Sequence, residues 1–220
     1  MFGALTTKMP SDVRELHNLL SRELSLVYTK WNYYKRLFCT DDGTVGALEQ
    51  AAAFLFRIVC DVLRDDIVLT LCRITDPRET TVKGVKKRNV TIEQLISVIP
   101  ASDSSLKEPI EKALLDINIR FKKFRDHRNR RIGHHDLETR LKRPGSLLPD
   151  IGIDDADSAL KCMADTLNSV ELYYDQNLRC YGEGIYGSGD AEEFIDFLAR
   201  KTKLEEYFNR AEFGDEGETG

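Results

Sequence analysis

Phe124-Arg125-Asp126-His127-Arg128-Asn129-Arg130-Arg131-Ile132-Gly133-His134-His135-Asp136 sets three of the chain's four histidines among four arginines. Arginine carries a permanent charge on a rigid fork of donors that matches phosphate oxygens, and histidine both takes and gives a proton near neutral pH. The run lies inside a longer helical pattern. Upstream, Ser105-Leu-Lys-Glu108 has capping-box spacing and no proline follows Pro109 before the run ends, so one helix is expected from Ser105 to about Leu141. At about 100° per residue, with Arg128 as origin, Ile110, Leu114, Ile117, Phe121, Phe124 and Ile132 fall within about 40° on either side. Arg128 therefore interrupts an apolar stripe. A buried guanidinium without a partner is costly, so Arg128 is expected to face either a carboxylate or a phosphate. His127, Arg131, His134 and Glu138 occupy the adjoining arc, His135 shares the sector of Arg128, and Arg125, Asn129 and Asp136 flank the other side. Arg128 and His134 are six residues apart, which is not a same-face spacing on a straight helix. A joint site needs Gly133 to loosen the turn, or a second copy of the helix.

Charge is distributed unevenly around this stretch. The 220-residue chain has a formal net charge of -5, yet residues 118–143 hold ten Lys or Arg against Asp126, Asp136 and Glu138, a local +7 that leaves -12 for the rest. An acidic body with one basic seam limits non-specific adhesion while attracting a polyanion to one place, with affinity that falls steeply with salt. Composition, 41% hydrophobic and 31% charged, is that of a globular protein able to bury a core in one domain. Cys39, Cys60, Cys72, Cys162 and Cys180 are odd in number and form no C-x-x-C pair. Cys60, Cys72 and Cys162 fall in apolar helical patterns, as small buried hydrophobes do, and a reduced, cytoplasmic setting is expected. No long uncharged stretch or signal-peptide pattern points to a membrane.

The remaining chain reads as helices and no strand. Val13, His17, Leu20, Leu24, Val27, Trp31, Tyr34 and Phe38 form one stripe behind Asp12 and Glu15, so a first helix is expected to about Thr40, with His17 as a core-boundary histidine. After Asp41-Asp42-Gly43, Thr44 can cap a second helix, Val45 to about Ile74, apolar almost all round and therefore expected at the centre of a bundle. Residues 77–90 read as a basic connector, carrying Lys83, Lys86, Lys87 and Arg88, over which RNA could run. Thr91-Ile-Glu-Gln94 opens a short helix to about Val98, and a further helix is expected from about Asp155 to Asn177. Asp190-Ala-Glu-Glu193 starts an apolar-periodic C-terminal segment. From 183 to 220, eleven acids face four basic residues, and 214–220 has no apolar side chain, so it is expected to be disordered. The fold class is all-α: a bundle of about five to six helices with Arg-Asn-x4-His on a long late helix.

Arg128-Asn129 followed by His134 resembles the signature of the HEPN superfamily (higher eukaryotes and prokaryotes nucleotide-binding), an arginine, a polar residue and a histidine at about this spacing. With two long helices and the short Thr91 helix before it, and Arg73-Ile-Thr-Asp76 ahead of the connector, the pattern is similar to the AbiU-type abortive-infection branch. The resemblance implies a HEPN-like domain over 10–180, leaving 181–213 as a helical extension packed on the bundle and 214–220 as an acidic tail. It implies a metal-independent endoribonuclease without cofactor in a phage-defence or toxin-antitoxin setting. His134 would be the general acid or base, Arg128 the phosphate clamp and Asn129 the orienting polar residue. Arg125, His127, Arg131 and His135 are expected as RNA-binding or auxiliary residues. RNA is the implied substrate, a homodimer the implied assembly, and a nearby-encoded antitoxin a further partner.

Other chemistries leave no comparable trace. No phosphate-binding P-loop, dinucleotide fingerprint or nucleophile elbow occurs, and Gly182-Glu-Gly-Ile-Tyr-Gly-Ser-Gly189 reads as a linker. His127, His134 and Glu138 could share an arc as metal ligands, but the arginines beside them oppose a cation, and no metal is expected. Two rivals remain from the residues: a non-catalytic HEPN nucleotide- or RNA-binding module, and a helical interaction protein whose basic helix is a docking face.

Overall fold

A computed structural model describes residues 8–40, 42–134, 136–183 and 190–213. The expectations for 214–220, for His135 and for most of the 182–189 linker fall outside the described residues. Among the described residues there are eight α-helices and one small antiparallel hairpin, so the all-α class holds with a few more helices than the periodicity predicts. Two compact units are distinguished: residues up to Tyr28 together with Asp65–Gly184, and Thr29–Arg64 together with Ile185–Gly220.

In the first unit, α1 (Ser11–Phe38) contributes its residues up to Tyr28. Val13, His17, Leu20, Leu24 and Val27 are all buried, as spacings of three and four require when one stripe faces a core. The end of α2 (Asp42–Ile74) lies in the same unit, with Ile67, Val68, Leu71, Cys72 and Ile74 buried. Thr75 ends that helix by turning its hydroxyl back onto the carbonyls of Leu71 and Cys72, at 3.1 and 3.2 Å. Pro77 then disfavours helical backbone at Asp76.

The expected connector is a hairpin instead. Strand β1 (Glu79–Val82) pairs with β2 (Val85–Arg88), with Glu79 opposite Arg88 and Val82 opposite Val85. Lys83 (φ 50°) and Gly84 (φ 79°) both occupy the left-handed region, the two-residue turn whose twist suits a hairpin. The overlooked signal was Thr-Thr-Val and Val-Lys-Lys on either side of a two-residue Lys-Gly break. Helix α3 (Ile92–Val98) begins as expected, with the Thr91 hydroxyl accepting from the Gln94 amide at 3.1 Å.

The helix expected over 105–141 is shorter and segmented. Helix α4 (Ser104–Arg120) is followed, after Phe121, by α5 (Lys122–His127) and by a widened π-helical turn over Arg128–Ile132. Gly133 and His134 lie beyond that turn, and α6 (Leu137–Arg140) is a single separate turn capped by Asp136. The predicted stripe holds at four of its positions, Ile110, Ile117, Phe121 and Phe124 being buried, the last two with ring centroids 5.2 Å apart, while Leu114 and Ile132 are half-buried. Helix α4 packs chiefly on α7 (Ile153–Asp175), whose Leu160, Met163, Leu167, Val170 and Tyr174 are buried. The Tyr174 hydroxyl donates to the buried Asp103 carboxylate at 2.5 Å, anchoring α7 to the start of α4.

In the second unit, Trp31 and Tyr34 of α1 stack at 5.5 Å, and Phe56 of α2 meets Phe194 of α8 (Ala191–Phe213) at 5.8 Å. Asp190 caps α8 by accepting from the amides of Glu192 and Glu193. Helix α2 kinks at Ala52 (φ −169°, ψ 69°), and Phe54, Leu55, Ile58 and Val62 beyond the kink are exposed, Phe54 by 78%. The expectation that α2 is central therefore applies to its last third and fails here. A helix apolar on all sides needs neighbours on all sides, and this stretch lacks them. Among the described residues, no helix is long and apolar enough to cross a membrane.

Candidate functional site

The site is built where the end of α2 meets α5 and the widened turn. Arg125, Arg128 and Arg131 follow one another at spacings of three, and all three side chains reach α2 or the residues just after it. Arg125 donates to the Thr75 carbonyl at 3.0 Å, to its hydroxyl at 3.3 Å and to the Asn118 side-chain oxygen at 2.8 Å. Arg128 donates from Nη1 to Asp76 Oδ1 at 2.5 Å and from Nε to Asn129 Oδ1 at 3.0 Å. Arg131 Nη2 lies 3.3 Å from Asp65 Oδ1. Of the two partners expected for the arginine in the apolar stripe, a carboxylate or a phosphate, the structure supplies the carboxylate of Asp76.

This pair is not sealed in the interior. The side chains of Arg128 and Asp76 are 24% and 26% exposed, and Asp76 lines a cleft of about 560 Å³. Partial hydration lowers the desolvation cost that a closed ion pair would carry. Beneath the pair, burial pushes the Cys72 thiol up to about 11, while Arg128 pulls the other way. Cys72 is an inert hydrophobe at that value. A guanidinium has five N–H donors, and Asp76 and Asn129 engage one each. Among the described residues, the other N–H donors of Arg128 have no hydrogen-bond partner, and its side chain is partly exposed.

The widened turn supplies the loosening that the six-residue separation of Arg128 and His134 requires. The Gly133 amide donates to the Arg128 carbonyl at 2.6 Å, a step of five residues in place of the usual four, and the Asp136 amide reaches back to Arg130 at 3.1 Å. Gly133 is thereby stacked over Arg128, and His134 follows it, exposed. A Cβ on Gly133 would lie 3.1 Å from the Arg128 carbonyl oxygen, so glycine is what lets the chain close so tightly. Asp136 then stops the run by capping α6: its carboxylate accepts from the Thr139 hydroxyl and amide, which hold its pKa below the usual range, with Arg130 adding to the effect.

The other predicted residues are placed differently. The His127 Nε2 is 2.6 Å from the Pro149 carbonyl, so it donates there and tethers the 142–152 loop. Arg130, which the sequence reading left unassigned, donates to the Ser146 carbonyl on the same loop and to the Thr139 hydroxyl of α6. Arg128 and Asn129 lie in the widened turn and His134 follows two residues past its end, Arg125 and Arg131 brace the turn against Thr75 and Asp65, and His135 lies outside the described residues. Asp76 was missed as a site residue, although it closes the Arg73-Ile-Thr-Asp76 tetrad. Among the described residues, no three His, Cys, Asp or Glu side chains are gathered as a metal site would need.

Comparison with known families bears on this geometry. The HEPN_AbiU2 family model, described as AbiU2, matches residues 10–197, which takes in both long helices, the hairpin and the Arg128–His134 turn. No curated protein and no solved structure matches the chain. Since the match spans most of the chain and takes in the arginine, polar residue and histidine of the motif, the chain belongs to the AbiU2 family of HEPN-type abortive-infection proteins.

Proposed function

We propose that this protein is a metal-independent endoribonuclease. The observation that carries the reading is the Arg128 guanidinium, fixed by Asp76 and Asn129 with donors to spare, one widened turn from an exposed His134. In this reading Arg128 binds the scissile phosphate and stabilises the negative charge that builds up on it. His134 takes the proton of the ribose 2'-hydroxyl as it attacks that phosphate, or protonates the leaving oxygen, giving a 2',3'-cyclic phosphate and a 5'-hydroxyl. Asn129 holds Arg128 in plane. Asp76 is a positioning residue, because it acts through Arg128.

Two copies of the chain form the working unit in this proposal, with Arg128 of one and His134 of the other able to serve one phosphate. The substrate is RNA, and an antitoxin would act by covering the same turn. A second reading draws on the Asp76 pair itself: an arginine already neutralised in its resting state suits a module that grips a nucleotide without cutting it.

Labelled single-stranded RNA incubated in EDTA with wild type, His134→Ala and Arg128→Ala separates these readings. The ribonuclease predicts cyclic-phosphate products from wild type and a loss of about 10²–10⁴-fold in each variant. Binding without cleavage in all three supports the module. Cleavage that survives both substitutions removes the site.

A further inference from the structure

The cleft beside Asp76 lies between α1, the end of α2 and the outgoing strand of the hairpin, and it is lined by Arg22, Arg73 and Arg88. All three are exposed. Among the described residues, the side chains of Arg22 and Arg88 form no ion pair or hydrogen bond, and Arg73 donates only to the Thr70 hydroxyl at 3.1 Å. Two acids are present, Glu23 and Asp76, and Asp76 is held by Arg128. Three guanidinium groups thus converge from three separate elements with one uncommitted carboxylate between them. Leu19, Leu26 and Val90, each about two-fifths exposed, give the same cleft apolar surface.

We infer that this cleft is the binding groove for a single strand of RNA. Its three arginines take successive backbone phosphates, and its aliphatic side chains and guanidinium planes take the faces of the bases. Single-stranded nucleic acid fits the mixture better than an acidic peptide because one wall of the cleft is the partner of Arg128. A polyanion lying there is delivered to the guanidinium proposed to hold the scissile phosphate. The hairpin gains a role by this placement: the left-handed Lys83-Gly84 turn returns the chain so that Arg88 reaches the cleft. The inference rests on the ribonuclease reading only for where the strand leads, and binding is measurable without cleavage.

The test is anisotropy with a fluorescent single-stranded RNA made uncleavable by 2'-fluoro riboses, on the full chain across a salt series. Arg22→Gln, Arg73→Gln and Arg88→Gln are each expected to weaken binding roughly threefold to fivefold and to lower the slope of log affinity against log salt by about 0.7. Lys123→Gln, in another basic cleft where Asp155 already pairs with it, is expected to leave both unchanged. Helical circular dichroism identifies any variant that has lost its fold, and for such a position the arginine-to-lysine variant is read instead, with a smaller loss expected. The inference is overturned if none of the three weakens binding, if Lys123→Gln weakens it equally, or if these arginines hold an acidic helical peptide and not RNA. Wild type that binds here but never cuts RNA sinks the ribonuclease reading and leaves the groove standing. RNA cut and bound normally by all three variants does the reverse.

Discussion

Two basic clefts adjoin the same motif, and they differ in what their cations already hold. One, of about 760 Å³, is lined by Arg120, Lys122, Lys123 and Arg130. Three of these have protein partners: Arg120 donates to Ser158, Lys123 pairs with Asp155, and Arg130 donates to the Ser146 carbonyl. Lys123 holds the Asp155 carboxyl below its usual range. The other, beside Asp76, has arginines that no acid neutralises among the described residues. Equal positive charge in a sequence therefore has unequal meaning: cations already committed to α7 or a loop hold the fold together, and only uncommitted ones can recruit a ligand.

Among changes that leave Arg128 and His134 in place, the largest effect should come from loosening Arg128. Asp76→Asn keeps the shape but weakens the anchor, and a drop in kcat of about 10–100-fold with KM little changed is expected from a misplaced phosphate clamp. An unchanged kcat would reduce Asp76 to a structural partner. Next is Gly133→Ala, where the added carbon meets the Arg128 carbonyl at 3.1 Å and must push the widened turn open. Cleavage should fall about tenfold with less than about 1–2 kcal/mol lost in stability.

A smaller effect is expected in the committed cleft. Lys123→Ala removes a pair whose side chains are about one-third exposed, so it should lower Tm by about 1–2 °C and leave RNA affinity unchanged. Weakened RNA binding there would erase the contrast between the clefts. The smallest effect tests the core histidine against the exposed one. Burial lowers the pKa of His17 from 6.5, outweighing the Leu167 carbonyl and Glu171, which favour the charged form. The unfolded chain then binds a proton that the folded chain refuses, so this contribution to stability is present above pH 6.5 and shrinks as pH falls below it. His17→Gln should flatten that part of a stability–pH curve, and an unaltered slope would remove the assignment.

Much of the fold was legible for a local reason. The stripe of α1, the Thr91 cap and the apolar line from Ile110 to Phe124 each follow from spacing within one segment, and each was found where expected. The hairpin was overlooked because basic composition outweighed a two-residue turn, and the late helix was extended too far because a widened turn has no periodic signature of its own. The apolar first half of α2 was read as central, since composition states how oily a helix is and not which neighbours reach it.

For the site, the sequence alone determined that an arginine interrupts an apolar ridge, that asparagine and histidine accompany it, and that a charge partner must exist. Side-chain chemistry and helical spacing are short-range properties that a chain carries before it folds. Only the tertiary structure decided that the partner is Asp76, 52 positions away, that His127 and Arg130 secure a loop, and that Arg22, Arg73 and Arg88 converge on one cleft. Those choices depend on which helix ends and strand meet in space, and no spacing along a single element encodes that.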